Sequence, residues 1–150
     1  MRRVFIVVGH SGSRKSSTIR ALTGAGPPRV FQIMQINDTI LDIYVHHVSL
    51  QEKKITPDEF IARVEELDGN PDVLVALRTR PSQNPRFPNA QEYALRFEEA
   101  GWQIAGIATL HGGLLDPPIN NAPQPIPILS SQTMPANQIV NIIRGVWNWL

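Results

Sequence analysis

The 150 residues contain no cysteine, which excludes a disulfide framework and any metal site built on thiolates. An excess of one charge is also missing. With 14 basic and 13 acidic side chains the net charge is +1, so no global field points to nucleic acid or to an anionic membrane as a partner. Long hydrophobic runs are absent at the start of the chain, where the apolar stretch Val4 to Val8 is far shorter than the roughly 20 residues of a membrane span. A signal peptide is not expected either, because a glycine-rich loop follows that stretch immediately. The expectation is a cytoplasmic protein with no membrane span. A hydrophobic content of 42% in a chain of this length gives one domain, residues 1–150, with a substantial core.

What is present begins at that short run. Val4 to Val8 reads as a strand buried on both faces of a parallel sheet, and Ser16 to Leu22 reads as a helix closed by Gly24 and Gly26. Between them Gly9, His10, Ser11, Gly12, Ser13, Arg14, Lys15, Ser16 and Ser17 follow the spacing G-x-x-x-x-G-K-[ST], with Arg14 where the second glycine belongs. The spacing has a physical basis. A short loop between strand and helix turns its backbone amides toward a phosphate, and the positive end of the helix dipole favours the anion. Lys15 supplies charge to the outer phosphates, and the Ser16 hydroxyl is a magnesium ligand. Arg14 either obstructs the phosphate path or adds a second cation.

This strand, loop and helix resemble the P-loop NTPases. The order of the remaining elements carries the resemblance further. Arg29 to Ile36 and Ile40 to Leu50 read as strands joined by a turn at Asn37, Asp38 and Thr39, and so as an antiparallel hairpin. Thr56, Pro57 and Glu59 open a helix with inner face Phe60, Ile61, Val64 and Leu67. Asp72 to Leu77 is a strand, Asn89 to Ala100 a helix, and Gln103 to Leu110 a strand. Five prolines between Gly112 and Pro127 forbid a regular helix there. A short strand at Ile126 to Ser130 and a last helix follow, the helix carrying Ile139, Ile142, Ile143, Val146, Trp147 and Leu150 on one stripe. The expected class is α/β in three layers, a mostly parallel sheet with one antiparallel hairpin. In element order it is similar to the small Ras-like GTPases, with a P-loop NTPase, G-domain-like architecture.

The resemblance implies ATP or GTP with Mg2+ as the bound group. Gly9 to Ser17 would be the phosphate site, Ser16 the metal ligand, and Lys15 with Arg80 the groups that stabilise transfer. Arg80 is drawn from the loop Arg78 to Arg86, which leaves the fourth strand with three guanidinium groups. Two motifs of that family are missing. Where an Asp-x-x-Gly should follow the third strand the chain reads His46 to Glu52, with Asp42 too early and Glu52 late. Where an Asn-Lys-x-Asp should read guanine it has Thr109 to Gly113. His46, His47 and His111 near strand ends suggest a general base or a transition metal, although adjacent histidines on a strand face opposite ways. The functional expectation is nucleotide binding with weak or partner-dependent hydrolysis. The alternatives are a non-catalytic P-loop scaffold acting as an interaction module, and a small-molecule kinase. Trp149, two positions beyond Trp147, is expected to point away from the core, toward a protein partner or a second copy bound through the last helix.

Overall fold

The computed structural model describes residues 1–10, 14–24, 29–111, 122–128 and 131–150. Ser11, Gly12 and Ser13 of the expected phosphate loop, Gly26 of the expected helix end with the rest of 25–28, most of the proline-rich loop (112–121) and the end of the expected last strand (129–130) lie outside the described residues.

The elements in chain order are β1 (Arg3–Gly9), α1 (Lys15–Thr23), β2 (Arg29–Met34), β3 (Ile40–His46) and α2 (Pro57–Glu65). Then come β4 (Asp72–Arg78), α3 (Ala90–Glu99), β5 (Gln103–Thr109), β6 (Ile126–Pro127) and α4 (Ala136–Trp147). They form one six-stranded sheet in the order β2-β3-β4-β1-β5-β6, with every neighbouring pair parallel except the hairpin β2–β3.

Alternation along the strands builds two cores, one on each face of the sheet. Val4, Ile6 and Val8 point to the side where Phe60 and Val64 of α2 pack with Tyr93 and Phe97 of α3. Phe5 and Val7 point the other way, to Ile19 and Leu22 of α1 and to Ile139, Ile143 and Trp147 of α4. Both faces are covered, so β1 and β4 read as continuous apolar runs. The result is the expected three-layer α/β arrangement.

The helix starts follow their local chemistry. Thr56 Oγ1 accepts the Glu59 amide at 3.2 Å while the Glu59 carboxylate reaches back to the Thr56 amide, a complete capping box with proline at the first turn. Asn89 Oδ1 accepts the Glu92 amide at 2.9 Å and caps α3. The Arg14 side chain makes no such cap for α1.

The last segment departs from expectation. Helix α4 stops at Trp147, and Asn148 adopts a left-handed conformation at φ 59°, which turns the chain back on itself. Trp149 is therefore buried, 2% exposed, against Phe5 and Trp147, instead of pointing outward. It also bridges to Gln35, while the Ile36 amide donates to the Asn148 carbonyl and the Leu150 amide to the Met34 carbonyl, both at 2.9 Å. Only Ile139, Ile143 and Trp147 of the expected stripe are buried; Ile142, Val146 and Leu150 are exposed.

Candidate phosphate-loop site

The loop after β1 emerges between the carboxyl ends of β4 and β5. The Thr79 amide donates to the Gly9 carbonyl at 3.3 Å, and the His10 amide to the His111 carbonyl at 3.2 Å. In sheets of this kind the carboxyl edge is where ligands bind. Here it holds a pocket of about 250 Å3 lined by Arg14, Lys15, Ser16, Ser17, Val48, Ser49 and Glu52.

Lys15 is the first residue of α1 and is nearly buried, 5% exposed. Its ammonium donates to the His10 carbonyl at 2.6 Å, and burial pushes its pKa below the usual 10.5, with Glu52 opposing that shift and Arg78 adding to it. No acid stands in the first turn of α1, and with no side-chain cap from Arg14 its positive end faces the pocket. A cation this enclosed, beside a helix start that Arg14 does not cap, favours an anion from solution.

Arg14 occupies the second-glycine position in the left-handed conformation, φ 72°. That is the backbone state a glycine there would adopt without cost. Its guanidinium reaches the carbonyls of Ser131, at 3.2 Å, and Met134. The side chain is thus tied to the segment that leads into α4.

Strand β4 separates β1 from β3, so the residues that leave β3 must cross the end of β4 to reach Lys15. They do so through fixed contacts. The Leu50 amide donates to the Ala76 carbonyl at 3.3 Å. Gln51, 3% exposed, accepts the Arg78 amide at 3.0 Å and donates to the carbonyls of Arg78 and Pro88 at 3.1 Å each. This crossing delivers Ser49 and Glu52 to the pocket, and it accounts for an acid that sits late relative to the end of the strand. Glu52 pairs with Arg78 Nε at 3.2 Å.

Among the expected residues, Arg14, Lys15, Ser16 and Ser17 line one pocket. Gly9 and His10 are not among the described residues lining it; Gly9 ends β1, and the His10 carbonyl accepts the Lys15 ammonium. Arg80 is exposed on the loop after β4 and is not among the described residues lining the pocket; Arg78 is the guanidinium that acts on Lys15. Asp42 is exposed on β3. His46 is buried with its Nδ1 on the Val48 carbonyl at 2.7 Å, and desolvation lowers its pKa. His10 and His111 stand edge to face, 6.3 Å between centroids. Among the described residues no group of three His, Asp or Glu is placed to hold a metal ion. Among the described residues no helix is long and apolar enough to cross a membrane.

Sequence reading pointed weakly to Glu52 and missed Gln51. The signal for both lies in the length of the segment between β3 and α2, which is more than a simple turn needs. Compared with known proteins, the chain matches no family model, no curated protein and no solved structure.

Proposed function

We propose that the chain binds the phosphate groups of a nucleoside triphosphate or diphosphate, ATP or GTP, at the turn from β1 into α1, with hydrolysis weak or dependent on a partner. The observation that carries this reading is the nearly buried Lys15 ammonium at the start of α1, which Arg14 does not cap, opening on a pocket whose volume of about 250 Å3 suits a phosphate chain. That volume is below the usual range for a whole drug-sized ligand, so the base would lie outside it.

Magnesium fits this donor set on one condition. Ser16 and Glu52 would hold it together with phosphate oxygens, as Mg2+ commonly takes one or two protein oxygens and completes its shell with phosphate and water. The condition is that Glu52 releases Arg78. When bound, the ion would neutralise charge on the terminal phosphates. Lys15 then balances the remaining phosphate charge, and Arg78, freed from Glu52, offers a further cation. A basal state in which the acid is held by an arginine agrees with slow turnover.

The test is thermal unfolding with ATP, ADP, GTP and GDP, each with and without Mg2+. A ligand at a hundred times its Kd should raise Tm by roughly 5–10 °C, and Lys15→Ala should abolish the rise. No shift with any nucleotide at millimolar concentration would leave the non-catalytic scaffold as the better reading.

A further inference from the structure

A second cavity, separate from the phosphate-loop pocket, is a groove of about 850 Å3 between the start of α2, the loop 81–88 and the start of α3. Its volume falls in the range of small-molecule sites. Pro57, Pro81, Pro85 and Pro88 form apolar walls with fixed φ. The loop is braced from within: the Ser82 amide donates to the Phe87 carbonyl and the Phe87 amide to the Asn84 carbonyl, both at 3.0 Å, and the Asn84 amide to Ser82 Oγ at 3.2 Å. The groove is therefore largely preformed.

Charge decides what it accepts. An anion finds little here, because the capped amides of α2 and α3 are satisfied by Thr56 and Asn89 and both guanidiniums are engaged. Arg96 pairs with Asp58, and Arg86 with Glu59 at 3.6 Å. Glu92 also lines the groove and has no ion-pair partner among the described residues. Arg96 stands one helical turn beyond it, but is turned to Asp58. Of the four charged residues that line the groove, Arg96 is taken by Asp58 and Arg86 by Glu59 outside the lining, which leaves the exposed Glu92 carboxylate without an ion-pair partner among the described residues, in a groove lined by four prolines.

We propose that this groove binds a primary ammonium group carried on a short aliphatic stem, the ammonium on Glu92 and the methylenes against the prolines. The inference stands whether or not the β1–α1 loop binds nucleotide. A free alkylamine and a lysine side chain of a peptide offer the same chemistry, and the test separates them.

The experiment is a 1H–15N NMR titration of the whole chain with n-butylammonium, with butanoate, with butanol, and with a lysine peptide blocked at both ends. Butylammonium or the lysine peptide should shift the amides of Gln83, Asn89 and Glu92 and saturate with a roughly millimolar Kd. Whichever binds more tightly identifies the source. Glu92→Gln keeps the Asn89 cap and should weaken binding about fivefold, what an exposed ion pair contributes. Equal shifts with butanoate or butanol, no shift at tens of millimolar of either cation, or unchanged affinity in Glu92→Gln would each overturn the proposal.

Discussion

Arg14 carries two opposed effects in one residue. Its backbone sits at φ 72°, which costs a side chain on the order of 1 kcal/mol relative to glycine. Its guanidinium in return holds the carbonyls of Ser131 and Met134. Comparing two substitutions separates the effects, since Arg14→Ala and Arg14→Gly both lose the guanidinium but only glycine relieves the backbone. In urea unfolding Arg14→Gly should be about 1 kcal/mol more stable than Arg14→Ala. Equal stabilities would show that the loop carries no such strain. Lys15 next to it is a group whose burial opposes folding. Its folded pKa lies below 10.5, so between that lowered value and 10.5 the unfolded chain binds more protons and stability rises with pH. The cost is fully present below that lowered value and is lifted as the ammonium deprotonates. Lys15→Met should therefore gain stability relative to the native chain at neutral pH, and the gain should shrink toward pH 10.5, as measured by unfolding midpoints of both proteins at each pH. A gain that is constant with pH would mean that the lysine pays no desolvation cost.

Elements were legible in the sequence where one local rule settles them. The α2 start shows this: Thr56, Pro57 and Glu59 spell a capping box before an apolar face, and the box is present at those residues. Thr56→Ala should lower stability by about 1 kcal/mol in chemical denaturation, and a change near zero would show that tertiary packing alone fixes the helix start. The hairpin and the buried parallel strands were legible for the same reason. What was not legible depends on contacts distant in sequence. The phase of a helix places Trp149 outward only if the helix continues, and Asn148 ends it with a left-handed turn that composition does not announce. The approach of Glu52 to Lys15 likewise depends on β4 lying between β1 and β3, because that order makes the intervening segment cross a strand end with Gln51 as its tie. Strand order is set by which faces pack together, and no local pattern encodes it.

At the scale of the molecule, the two ends of the sheet do different work. The carboxyl edge gathers the loops after β1, β3 and β4 around Lys15, while at one flank the chain's last residues pair with Met34, Gln35 and Ile36, at the end of β2. An open strand edge is a template for pairing with another chain, and Met34, Ile36 and Ile40 are exposed beside this one. Trp149 anchors the closure. Its indole packs on Phe5 and Trp147, in the core that lies between the sheet and α4. The Trp147 ring it packs on lies close over Gly106, where an added Cβ would stand 2.8 Å from Cε2, so this layer has little room to rearrange. Trp149→Ala should then cost about 3–5 kcal/mol, because the void cannot collapse. With its anchor gone the tail should fray from Met34 and Ile36, and the freed edge should pair between molecules. Leu150→Pro separates the two effects, since it removes the amide that donates to the Met34 carbonyl while leaving the indole in place, at a cost of about 1 kcal/mol. Urea unfolding and sedimentation velocity at two protein concentrations measure both consequences. Trp149→Ala should be destabilised and associate as concentration rises, whereas Leu150→Pro should lose little stability. A Trp149→Ala chain that associates no more than the native chain and keeps its unfolding midpoint would show that the end of β2 is protected by its own residues and not by the tail.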